Sequence, residues 1–209
     1  MTVDPTATPR VDLYVDPVCP FAYLATRWLL EVESLRPLDL HLQLMSLAVL
    51  NEHNPDAPDE ADRGLDNAWR PVRVGAALNV MQGEAALRDY LVTFGDRFHR
   101  QRIRPRDRVI RETLADLADL DASMLVTAAD NTEWDDAVRQ SHARAVNCVG
   151  DDVGTPTLHI DGHAIFGPIF SAVPRGQDAL DVYDGVLLLA ENAGFCELKR
   201  TRKGELDFS

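Results

Sequence analysis

Cysteine is scarce in this chain, with only three in 209 residues. So small and odd a number excludes a disulfide framework and fits a reducing, cytoplasmic setting. Long apolar runs are missing too. No stretch approaches the roughly 20 apolar residues of a membrane span. The first ten residues carry Asp4, Pro5 and Pro9 and no apolar core, so no signal peptide is read there. Basic charge is short: 21 Lys and Arg stand against 34 Asp and Glu, a net charge of −13. That acidity argues against nucleic acid or an anionic membrane as a partner. No Cys/His spacing suggests a metal. His159 and His163 flank a turn but lack the two further ligands a zinc site needs. What the chain does have is 45% hydrophobic residues, enough for one good core or for a core with an inserted subdomain.

One of the few cysteines is placed where chemistry is expected. Cys19-Pro20-Phe21-Ala22 follows a short apolar run, Val11 to Val15, that reads as a buried strand. It precedes a segment with Leu24, Trp28 and Leu29 on one helical face, so a helix is expected over 20–35. Pro20 suits the first helical position, where its missing N–H costs nothing. A cysteine at a helix N-terminus meets unpaired N–H groups and a partial positive charge. Both favour a thiolate, so Cys19 is expected to have a lowered pKa. A buried structural cysteine ahead of a helix has the same local sequence. Asp16, three residues earlier, either tunes that thiol or simply forms the turn before Pro17.

The rest of the chain reads as α/β. Leu38, Leu40, Leu42 and Leu44 alternate with Asp39, His41 and Gln43, the pattern of a half-buried strand. With the first strand and helix this makes a β-α-β unit and a parallel pair. Asn51 to Asp59 reads as a loop. Helices are expected over Ala61–Met81, Glu84–Arg97, Arg106–Leu117 and Asp130–Val146, with a short one starting at Asp121-Ala122-Ser123. Residues 154–166 return to strand–turn–strand, with Asp161-Gly162 as the hairpin signal. A final helix is expected from Gly176 to about Glu191.

A second motif, Gly154-Thr155-Pro156-Thr157, leads into the apolar run Leu158-His159-Ile160. Cys19-Pro20 and Thr155-Pro156, in this order, resemble the thioredoxin superfamily and its DsbA-like members. More narrowly, the chain resembles the actinobacterial mycothiol-dependent nitroreductases. The likeness runs through Asp16-Pro17-Val18-Cys19-Pro20, Thr26-Arg27-Trp28, Met45-Ser46-Leu47-Ala48, Gly150 to Thr157, Phe166-Gly167-Pro168, Pro174-Arg175-Gly176 and Glu197 to Arg202. It implies a thioredoxin-like fold with a helical insertion: residues 9–59 and 150–203 form the two parts of the domain, and 60–149 the insertion. It also implies a cis Thr155-Pro156 bond facing Cys19. The family pattern is Cys-Pro-Trp-Cys. Here Phe21 replaces the tryptophan and Ala22 the second cysteine.

The resemblance therefore implies a thiol-dependent oxidoreductase in monothiol mode. Cys19 would be the nucleophile, and Pro20, Phe21, Thr155 and Pro156 would bind the thiol or substrate. Mycothiol or another low-molecular-weight thiol would be the co-substrate, acting on a disulfide or electrophile, with no metal. Two alternatives stand beside it. A kappa-type transferase or isomerase would activate a bound cofactor thiol and leave Cys19 dispensable. A non-catalytic relative would only bind thiols or peptides. Cys148, eight residues before Pro156, is the nearer of two possible internal partners for Cys19; Cys196 is the other. The arginines at 97, 100, 102, 104, 106 and 108 form either a solvated loop or a grip on an anionic thiol. Phe21, Tyr23, Trp69 and Phe166 either fill the core or line an apolar groove. His99 and His142 read as surface or helix-face residues, with lining of the site as the alternative for His142.

Overall fold

The computed structural model describes residues 8–52, 68–117, 122–150 and 152–209. Strand β1 (Arg10–Val15) lies in the middle of a four-stranded sheet of order β2-β1-β3-β4. β2 (Asp39–Leu44) runs parallel to it, with Val11 opposite Leu40, Leu13 opposite Leu42 and Val15 opposite Leu44. The connection between them is helix α1 (Pro20–Leu35), so the expected β-α-β unit is present. β3 (Thr157–Ile160) pairs antiparallel on the other side of β1, and β4 (His163–Phe166) closes the sheet as a hairpin with β3. Its turn places Asp161 at φ 46° and Gly162 at φ 84°, the two left-handed positions that a tight hairpin requires.

Helix α1 buries Ala22, Ala25, Trp28, Leu29 and Val32 completely. Its Trp28 indole donates to Ala179 O at 3.0 Å in α8 (Gly176–Ala190), so the last helix is tied to the first. The described residues between β2 and β3 are mainly helical: α2 (Leu47–Asn51), α3 (Trp69–Gln82), α4 (Glu84–Gly95), α5 (Arg106–Asp116), α6 (Ala122–Ala128) and α7 (Asp135–Val146).

Several expected boundaries shift for local reasons. The loop expected over 51–59 is preceded by α2, which Ser46 caps by accepting from Val49 N. Residues 53–59 of that loop, and 61–67 of the helix expected from Ala61, lie outside the described residues. Gly83, at φ 88°, separates α3 from α4. The helix expected to run to Arg97 widens at Asp96 into a π-helical turn, Asp96–Arg100. The helix expected from Asp130 begins at Asp135, because Asn131 Oδ1 accepts from Glu133 N and caps a 3₁₀ turn first.

Gly95 sets how close α4 comes to α1. A Cβ there would stand 2.6 Å from Tyr23 Cδ2. Only a glycine leaves the Tyr23 ring room against α4 at this separation, and Tyr23 belongs to the first turn that follows Cys19.

Candidate active site

Cys19 is the N-cap of α1 in extended backbone (φ −80°, ψ 117°), with Pro20 at the first helical position. Cys19 N donates to Asp16 O at 3.0 Å and Tyr23 N to Cys19 O at 3.1 Å, so a tight turn feeds directly into the helix. Across from it, the Thr155-Pro156 peptide is cis. The Cys19 thiol donates to Thr155 O at 3.3 Å. The sequence-predicted residues Cys19, Thr155 and Pro156 therefore meet, although 136 positions separate the first two. Pro20 and Phe21 are half-buried on the first turn beside them.

The inner wall of this site is a closed hydrogen-bond network. Thr155 Oγ1 accepts from Asp16 N at 3.1 Å and donates to Tyr14 O at 3.3 Å, which bolts the proline loop to the end of β1. Asp16 does more than form a turn. One carboxylate oxygen accepts from Val18 N at 2.9 Å; the other accepts from Leu47 N at 2.7 Å, at the start of α2. The side chain is buried, and burial pushes its carboxyl up to about 6, against the two N–H donors and the nearby Arg106 guanidinium, which favour the charge. His99 also belongs to this wall. It is buried, and its Nε2 donates to Pro17 O at 2.9 Å. Burial pulls its pKa down to about 4, so the ring is neutral at pH 7. His142 is buried as well, and its Nδ1 accepts from Ser46 N. The helix-face reading of both histidines is thus corrected: their partners lie 82 and 96 positions away, beyond the reach of any local pattern.

The expected thiolate is also corrected. Cys19 is only 5% exposed, and burial pushes its thiol up to about 12, with the Asp16 charge adding to the rise. The N–H groups of Ala22 and Phe21 do favour the thiolate, as the helix N-terminus argument requires, but desolvation outweighs them. In this conformation the sulfur is a protonated donor to the Thr155 carbonyl.

The outer wall is different in kind. Phe21 has the Arg202 guanidinium over its ring, with Cζ 4.7 Å from the centroid. Phe166, 45% exposed, lies against the proline loop: its Cε2 is 3.8 Å from the position a Cβ on Gly154 would take. Phe21 thus lies on the first turn after Cys19, and Phe166 beside the proline loop that Cys19 meets. The other two proposed groove aromatics do not join them. Tyr23 is buried in a stack with His99, and Trp69 carries the guanidinium groups of Arg73 and Arg139. Most of the arginine cluster is spoken for. Arg97 pairs with Asp116, Arg100 with Asp96 and Arg108 with Glu112, while Arg104 donates to Phe98 O and lies over the Phe98 ring. All three cysteines are free thiols; Cys148 and Cys196 are exposed, so neither bridges to the buried Cys19. Among the described residues no group of His, Cys, Asp and Glu is arranged to hold a metal ion, and no helix is long and apolar enough to cross a membrane.

Known proteins resemble this chain at two levels. By structure it is similar to a 2-hydroxychromene-2-carboxylate isomerase, with a TM-score of 0.60 and 15% identity over 85% of this chain and 94% of that one. It is also similar to the cytosolic disulfide reductase DsbM of Pseudomonas aeruginosa solved with GSH, with a TM-score of 0.53 and 17% identity over 86% and 100% of the two chains. Identities this low speak for the shared fold alone. By sequence it is 31% identical over 194 residues to the uncharacterized protein Rv2286c of Mycobacterium tuberculosis (strain ATCC 25618 / H37Rv), covering 92% of this chain and 82% of that protein. The family model described as mycothiol-dependent nitroreductase Rv2466c matches residues 18–200. The chain thus belongs to the Rv2466c-like family of thiol-dependent oxidoreductases, built on a DsbA-like thioredoxin fold.

Proposed function

We propose that this protein is a monothiol oxidoreductase in which Cys19 forms a mixed disulfide that an external thiol, mycothiol by family, resolves. The observation that carries this reading is the pairing of Cys19 with the Thr155-Pro156 loop, Sγ to Thr155 O 3.3 Å, in a chain with Ala22 where the resemblance implies a second cysteine. The chemistry balances without an internal partner. Cys19, as thiolate, attacks one sulfur of a disulfide; the Cys19–sulfur bond forms, the substrate S–S bond breaks, and one thiolate leaves. A second thiol then attacks the adduct, returns Cys19 and departs as half of a new disulfide. One half of the substrate leaves as a thiol, the other leaves joined to the resolving thiol, and a second external thiol must exchange with that mixed disulfide to complete the two-electron reduction. The first step requires the thiol proton to leave, so an approaching substrate must displace the Thr155 O contact or bring a base. The N–H groups of Phe21 and Ala22 then stabilise the sulfur's charge, and the Thr155 carbonyl is freed to pair with an extended ligand. No nucleic acid, membrane or metal takes part in this scheme, which is suited to a cytoplasmic thiol pool.

The burial of Cys19 favours a second reading. A thiol held near 12 suits the kappa-type scheme, in which a bound cofactor thiol is the nucleophile. Cys19→Ser separates the two. The monothiol reading expects disulfide reduction by external thiol to fall to background. Retention of more than half the activity would transfer the role to the cofactor thiol.

A further inference from the structure

Arg202 and the two lysines that bracket it stand out against the rest of the molecule. The chain has only two lysines, Lys199 and Lys203, and both fall in the run Lys199-Arg200-Thr201-Arg202-Lys203. That run carries four positive charges and no negative one, in a chain of net charge −13. It forms neither helix nor strand and is exposed. It is nonetheless pinned to the body. Phe208 packs against Tyr23 and His99 with ring centroids at 5.8 and 5.9 Å; Asp207 N donates to Ser171 O at 2.8 Å; Arg175 donates to Ser209 O at 3.0 Å. Those anchors bring Arg202 onto the ring of Phe21, two residues from Cys19.

Two physical points give this placement a direction. A guanidinium held over an aromatic ring still has N–H donors for a planar anion, and the ring contact limits where those donors sit. Among the described residues Lys199, Arg200, Arg202 and Lys203 have no salt-bridge partner, in contrast to Arg97, Arg100 and Arg108. Glu197, Glu205 and Asp207 flank the run but do not pair with it. A strongly acidic protein repels anions at long range, so an anionic ligand needs a local positive guide to reach the cleft.

We infer that the Lys199–Lys203 run, with Arg202 on Phe21 as its fixed point, is an anion-recognition arm of the Cys19 site, selecting carboxylate- or phosphate-bearing disulfides or thiols over neutral ones. This rests on the reading of Cys19 as the reactive sulfur. The anion sits on the disulfide that Cys19 attacks or on a resolving thiol other than mycothiol, which carries neither carboxylate nor phosphate, and the two are separable by step.

The test uses the full chain with Cys148→Ser and Cys196→Ser, so that only Cys19 reports. Its reaction rate is measured with dithiobis-nitrobenzoate, which is dianionic, and with dithiodipyridine, which is neutral and of similar size. Release of a neutral Cys19 adduct is then timed with mercaptopropionate and with mercaptoethanol. Arg202→Gln is expected to lower the anionic-to-neutral rate ratio about two- to fivefold, the worth of one exposed ion pair, and high salt should do the same to the unsubstituted arm. An effect on the first step places the anion on the disulfide; an effect on the second places it on the resolving thiol. A ratio unchanged in both steps overturns the inference while leaving Cys19 reactive. So does an equal loss with both reagents, which would mean only packing on Phe21. A Cys19 inert to both disulfides would overturn the proposed function and the arm with it.

Discussion

The two walls of the Cys19 cleft are built on opposite principles. The inner wall, made of Asp16, Thr155 and His99, is buried and satisfied: each of these polar side chains has a named partner at 2.7–3.3 Å. The outer wall, made of Phe21, Phe166 and Arg202, is half-buried or exposed and leaves its polar edge open. A buried polar network is costly to disturb because each lost partner strands another group. An exposed aromatic and cation pair costs little to remove. The inner wall should therefore govern stability and the state of the sulfur, and the outer wall what reaches it.

The sharpest way to break that contrast is at Asp16. Asp16→Ala strands Val18 N and Leu47 N, and should cost about 2–3 kcal/mol in urea unfolding. Asp16→Asn retains one acceptor oxygen and should cost less, while removing the charge that opposes the Cys19 thiolate. Alkylation of Cys19 in that variant should quicken about three- to tenfold at pH 8. The sign of the pH dependence follows from the raised carboxyl. With the folded value near 6 and the unfolded value near 4, the folded state holds the extra proton between them. This group's contribution to stability therefore declines as pH rises from about 4 to about 6, and Asp16→Asn should abolish that slope. The raised thiol gives a second pH signature: Cys19 alkylation in the unsubstituted protein should keep rising with pH through 9, without a plateau near 7.

A smaller effect is expected at the seam between α4 and α1. Gly95→Ala drives a methyl into the Tyr23 ring and should cost about 1–3 kcal/mol, read as a lowered urea midpoint. Because Tyr23 stacks on His99, and His99 holds Pro17 O, the same variant should also alter Cys19 reactivity. A stability loss with unchanged reactivity would uncouple Tyr23 from the inner wall. The smallest structural effect belongs to the outer wall. Phe166→Ala should change stability by less than about 0.5 kcal/mol, since the ring is exposed. It should still raise KM for an aromatic disulfide more than for a small aliphatic one.

The same division explains what could be read from the sequence. β1, α1, β2 and the β3–β4 hairpin were legible because their signals are local: alternation in Leu38 to Leu44, the apolar face of Leu24, Trp28 and Leu29, and the Asp161-Gly162 turn. Cys19 at a helix start was legible for the same reason. The inner wall was not, because its contacts are long-range. Leu47 N reaches Asp16 across 31 positions, and His99 reaches Pro17 across 82. The expected thiolate failed on this point too: the helix end is visible in sequence, whereas the burial that overrides it is supplied by distant segments. The C-terminal run over Phe21 has no periodicity at all, and only Phe208, Asp207 and Ser209 meeting their partners put it there.

The central claim is that Cys19 works without an internal resolving partner. Intact-mass measurement after exposure to oxidised mycothiol, followed over time in thiol-free buffer, tests it most directly. One adduct is expected, mapped to Cys19, that persists until free thiol is added, and in Ala22→Cys an adduct that is lost to an internal disulfide. An unsubstituted protein that sheds its adduct by forming a Cys19–Cys148 bridge, or that carries its adduct only on Cys148 or Cys196, would contradict it.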